Sequence, residues 1–168
     1  MLNTTAASQR ETLAALDLSW LEPQLMRRHG FDAARAARAV RHYRCFLEIA
    51  ADHPERPVAP PAGADKAWHV HMLYNERYNE FCRTVFGTIL HHDPEAFGTP
   101  AFAQAWEFTR AQFAERMNVA LPGLDGAAPS DADLRAEQCW LAERSSAAVT
   151  DPDLQAEQCW VVARDVRH

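Results

Sequence analysis

Asp32-Ala-Ala-Arg-Ala-Ala-Arg-Ala-Val-Arg-His-Tyr-Arg-Cys-Phe-Leu-Glu-Ile-Ala-Ala51 decides the fold class. Ala36, Val40, Tyr43, Phe46 and Leu47 recur at spacings of three and four, which puts their side chains on one face of an α-helix. Asp32 is a good N-cap, because its carboxylate can accept from amides that the first turn leaves unpaired. The spacing predicts one long amphipathic helix from Asp32 to about Ala51.

Helical signals continue on both sides of it. Glu11–Leu16 suggests a short first helix. Leu21–Arg28 suggests a second, with Pro23 tolerated near its start and Gly30 as its stop. The segment His53–Gly63 holds four prolines and reads as an extended connection. A further helix is expected from about Ala64 to Phe86. Thr99 as N-cap and Pro100 at the first helical position open a last long one, with Phe102, Trp106, Phe113 and Met117 on its inner side. No segment alternates with a period of two, and β-branched residues are sparse. The expectation is an all-α, compact bundle of about four to five helices over residues 8–121.

Composition narrows the function classes. The 168 residues carry a formal charge of −6, and 48% are hydrophobic, enough for a packed core. Lys66 is the sole lysine and the arginines are interleaved with carboxylates, which argues against nucleic acid or an anionic membrane as partner. Met1-Leu2-Asn3-Thr4-Thr5 lacks the basic and apolar regions of a secretory signal. No run approaches the roughly 18–20 apolar residues that span a bilayer. A soluble, cytoplasmic protein is expected, with Cys45, Cys82, Cys139 and Cys159 as thiols. The absence of any Cys-x-x-Cys pair excludes a zinc ribbon.

Residues 122–129 have linker composition. Beyond them the tail, 130–168, repeats itself: Ser130-Asp-Ala-Asp-Leu-Arg-Ala-Glu-Gln-Cys-Trp140 recurs as Thr150-Asp-Pro-Asp-Leu-Gln-Ala-Glu-Gln-Cys-Trp160. Ser130 with Asp133, and Thr150 with Asp153, resemble capping boxes, so each unit is expected to be a short helix. Each has too few apolar residues for a core, and the tail is expected to be dispensable for folding. One reading is a young tandem duplication. The other is a recognised or modified sequence, offering Cys139/Trp140 and Cys159/Trp160 to an unknown protein or peptide-modifying partner.

The chemistry concentrates between residues 65 and 94: Asp65-Lys-Ala-Trp-His-Val-His71, Tyr78-Asn-Glu-Phe-Cys82, Gly87, and His91-His-Asp-Pro94. On a helix Asp65 and His69 lie one turn apart on one face, whereas His71, Tyr74, Tyr78 and Cys82 fall on the opposite side. Gly87 lets the chain turn, so His91 or His92 can return an imidazole to Asp65 and His69. Three such ligands plus water are the composition of an open metal site. The bland alternative makes Asp65 a cap, His69 a donor to a buried carbonyl, and His91-His92 the close of a helix. His42 is expected on a helix surface.

Tyr43-Arg44-Cys45-Phe46-Leu47, Asp65-x-x-Trp68-His69, Tyr78-x-x-Phe81-Cys82 and Gly87-x-x-Leu90-His91-His92-x-Pro94 together resemble the glycine-rich-domain-containing-protein-like family, a former domain of unknown function with bacterial and plant members. The resemblance covers about residues 20–118. It implies a small helical domain with Asp65, Trp68, His69, Cys82, His91 and His92 as signature positions, and it carries no established enzymatic activity. His71 is the less safe ligand, because bacterial relatives often have an apolar residue there.

The candidate ligands are therefore Asp65, His69 and His92, with His91, His71 and Cys82 as alternatives, and Trp68 and Tyr78 as walls of the site. Nitrogen and oxygen donors suit zinc or iron, and copper if Cys82 or Met72 joins. No phosphate-binding glycine loop or nucleophile elbow is present, so no nucleotide cofactor is expected and whether any reaction is catalysed stays open.

Overall fold

A computed structural model describes residues 2–93, 95–124, 153 and 160–162, with backbone alone for 2–6 and 160–162. The described residues form six helices: α1 (Leu2–Ala15), α2 (Leu21–His29), α3 (Ala33–Asp52), α4 (Ala62–Leu73), α5 (Asn75–Phe86) and α6 (Pro100–Met117). Two short strands join them, β1 (His91–Asp93) and β2 (Trp160–Val162). The fold is all-α, as the periodicity predicts.

Helix α3 is the hub, with α1, α2, α4 and α6 packed against it. Its predicted inner residues Ala36, Val40, Tyr43, Phe46 and Leu47 are all buried. The Asp32 carboxylate accepts from the Arg35 amide at 2.7 Å, the expected N-cap. Thr99 does the same for α6, accepting from the Phe102 amide. Gly30, with φ of 66°, ends α2 in the left-handed conformation that glycine adopts without strain. After α6, Trp106 Nε1 donates to the Pro122 carbonyl and Arg110 Nε to that of Leu121, which ties the segment after α6 back onto that helix.

Four departures from the sequence reading have physical causes. First, the helix expected over 64–86 is two, because Tyr74 breaks it. The Tyr74 ring packs edge-on against Trp20 at 5.1 Å and its hydroxyl donates to Gln24, tertiary contacts that no local signal announces. Second, α1 begins at Leu2, ahead of the expected Glu11. Third, His42 is buried against the edge of Phe113, where a surface position was expected.

The fourth departure concerns the tail. Trp160–Val162, read as the end of a short helix, is a strand antiparallel to His91–Asp93, with His92 opposite Val161. Two consecutive valines after a tryptophan favour a pleated strand. Asp153, read as a capping-box residue, instead meets Arg35, its carboxylate accepting from Nε at 2.6 Å and Nη2 at 2.7 Å. The first repeat, with Ser130, Asp133, Cys139 and Trp140, lies outside the described residues, as do residues 125–129 of the linker, Thr150 and Cys159.

One buried chain of hydrogen bonds sets the path from α4 to β1. Trp68 Nε1 donates to the Tyr78 hydroxyl at 2.9 Å, and that hydroxyl donates to the Leu90 carbonyl at 2.6 Å. All three residues are buried. Tyr78→Phe would orphan a buried N–H and a buried C=O together, each costing about 1–3 kcal/mol. Urea unfolding should therefore show a loss of about 2–4 kcal/mol for Tyr78→Phe; a loss below about 0.5 kcal/mol would contradict this role.

Candidate metal centre

Helix α4 starts on Pro61 as N-cap, so Asp65 lies within its first turn and does not cap it. A carboxylate there is favoured by the amide dipoles of the helix N-terminus. One turn on, His69 Nδ1 lies 3.3 Å from Asp65 Oδ2. From β1, His92 Nε2 lies 3.4 Å from Asp65 Oδ1 and 2.7 Å from His69 Nε2. One ligand atom from each of the three residues falls within 4.8 Å of the others.

The surroundings are graded. The Asp65 side chain is 5% exposed, that of His92 16% and that of His69 46%, so the cluster opens to solvent on the His69 side. The Trp68 ring lies 4.9 Å from the His92 ring and closes the inner side. The two imidazole nitrogens, 2.7 Å apart, are at hydrogen-bond distance. Around one tetrahedral ion with bonds of about 2.0–2.1 Å they would stand about 3.3 Å apart, a separation of some tenths of an ångström that the exposed His69 side chain can supply.

The remaining candidates lie elsewhere. His91 is exposed, and the strand's alternation sends successive side chains to opposite faces. Tyr78 connects to the cluster through Trp68 and Leu90, and so supports it from behind. Cys82 is buried, and desolvation raises its thiol pKa, which opposes a thiolate ligand. His91-His92 do not close a helix, and Asp65, in the first turn of α4, does not cap it. Sequence reasoning missed the Leu90 carbonyl and Arg35, for which no motif exists. It also missed β2, for which Val161-Val162 was the available signal.

His71 belongs to a second cluster on the other face of α4. Its Nδ1 is 3.0 Å from the Tyr43 hydroxyl, and the rings of Trp20, Tyr78 and Phe81 surround it. Asp17, Arg77 and Glu80 line the adjoining cleft of about 330 Å³.

A family model matches residues 15–115. The chain belongs to the UCP032817-like family. The UCP032817-like region includes Asp65, His69 and His92 and stops short of both repeats. No curated protein and no solved structure matches the chain significantly.

Burial, and after it the charge of Arg77, lowers the His71 pKa to about 4. An unfolded chain restores it to about 6.5, so between these values the unfolded state binds more protons and stability falls as the pH drops. The contribution is complete above about pH 6.5 and shrinks toward pH 4, by roughly 3 kcal/mol in all. Unfolding free energies measured from pH 7 to 4 should fall less steeply in His71→Gln, whose amide oxygen still accepts from Tyr43. Parallel curves for the two proteins would contradict a buried neutral imidazole.

Proposed function

We propose that this helical domain binds a divalent transition-metal ion through Asp65, His69 and His92. The supporting observation is the convergence of one buried carboxylate and two imidazoles, from α4 and β1, within 4.8 Å. Among the described residues no helix is long and apolar enough to cross a membrane, and the arrangement is read as a metal site of a globular domain. Two histidines and a carboxylate suit zinc or iron(II), the latter in the facial arrangement that leaves positions open. With Cys82 buried and its thiol pKa raised, a copper–thiolate site has little support. The open side at His69 suits a bound water or a substrate donor, and so a Lewis-acid or water-activating role. The motif resemblance to the glycine-rich-domain-containing-protein-like family, which rests on the same residues, is part of this proposal.

A second reading, an interaction module that works through its tail, is favoured by the pairing of β2 with β1. His69→Ala separates the two. Loss of bound metal with stability intact supports the metal reading; a loss of roughly 1–3 kcal/mol with no metal effect supports the module.

Thermal unfolding of the full chain, with and without zinc(II) or anaerobic iron(II), is the primary test. Ligand that binds the native state alone raises the melting temperature, by about 2.7 kcal/mol of stability at a hundredfold excess over Kd. That rise should vanish in His69→Ala and His92→Ala and persist in His91→Ala. A rise of equal size in all four proteins, or in none, would sink the assignment.

A further inference from the structure

We propose that Arg35, Arg38, Gly63 and β1 form a dock for the sequence Asp-Leu-x-Ala-Glu-Gln-Cys-Trp and the two residues after it, and that the two tail repeats are interchangeable ligands of that single dock. Asp153 and Trp160–Val162, from the second repeat, occupy it in the structure. The side chain of Asp153 is 2% exposed and takes a two-pronged bond from Arg35, with Arg38 Nη2 3.5 Å away. Seven residues on, Trp160–Val162 adds a strand to β1.

The arginine fork is also held by a contact within the helical domain. The Arg35 guanidinium lies 4.0 Å over the Phe31 ring, which holds the fork in place. Gly63 is the second residue of α4. A β-carbon at Gly63 would stand 3.0 Å from that of Asp153, so the glycine supplies the room the aspartate uses. An arginine fork and an unpaired strand edge together recognise an acidic residue followed at fixed distance by a segment able to extend.

The first repeat presents the same elements at the same spacing. Asp133 stands where Asp153 does, Leu134 where Leu154 does, and Trp140-Leu141-Ala142 where Trp160-Val161-Val162 does. Roughly nine residues of tether beyond Leu124 reach about 30 Å, on the order of the domain's own diameter. Tethering gives each repeat an effective concentration in the millimolar range, so neither needs high intrinsic affinity. Val161-Val162 extends more readily than Leu141-Ala142, which makes the second repeat the resident and the first its reserve. His92 is the central residue of β1, so exchange of the two repeats changes the strand that braces it. The exchange itself requires no metal.

Hydrogen exchange of the peptide spanning His91–Asp93, measured by mass spectrometry on the full chain without metal, reads occupancy of the dock. Asp133→Ala should exchange as the unaltered protein does. Asp153→Ala should exchange faster by less than about tenfold, because the first repeat replaces the second, and the double variant by well over tenfold. Asp153→Ala exchanging as fast as the double variant would overturn the proposal. Should the double variant lose its helical circular dichroism, replacing residues 150–162 by the sequence of 130–142 decides: exchange within about threefold of the original supports interchangeability, and faster exchange refutes it. Protection in Asp153→Ala that grows with protein concentration would assign the reserve ligand to a second copy and refute exchange within one chain.

Discussion

The Tyr78 hydroxyl holds the architecture of the site together. It accepts from Trp68 on α4 and donates to the Leu90 carbonyl just ahead of β1, inside a core where an unpaired polar group is costly. Satisfying both partners at once fixes where the chain emerges after Gly87. His92 thus reaches the face of α4 that bears Asp65 and His69. The break at Tyr74 serves the same end, since it lets α5 turn back and bring Tyr78 under Trp68. The site's geometry is therefore a consequence of core packing in another part of the fold.

Electrostatics complete the arrangement. A carboxylate as buried as Asp65 is stable only with partners, and those in view are two imidazoles and the positive end of a helix. Each imidazole offers the carboxylate a hydrogen bond. A divalent cation would supply the charge as well, and this is the physical reason for the proposed metal site at a buried Asp with two converging His. His71, two residues from His69, shows the contrast: aromatic rings and the Tyr43 hydroxyl satisfy it, and burial keeps it neutral.

Much of this was legible in the sequence where the signals are local. The period of α3, the caps Asp32 and Thr99, and the stop at Gly30 are properties of short windows, and each reappears in the fold. Asp65 and His69 were legible because four residues make one turn. His92 could be proposed as a returning ligand, but its choice over His91 depends on the pleat of β1, whose partner β2 lies far along the chain. The bend at Tyr74 and the burial of His42 come from α2 and Phe113, which no window around them contains. Asp153 shows the same limit. Its spacing from Thr150 imitates a capping box, and only the fold reveals Arg35, more than a hundred residues away, as its partner.

Under the proposed function Asp65, His69 and His92 share one ion. X-ray absorption at the edge of the bound metal, on full-length protein loaded with one equivalent of zinc(II), measures its ligands directly. The expected result is a shell of nitrogen and oxygen at about 2.0–2.2 Å with two imidazole scattering patterns, one of which disappears in His92→Ala. A sulfur shell at about 2.3 Å, or a spectrum unchanged in His92→Ala, would contradict it.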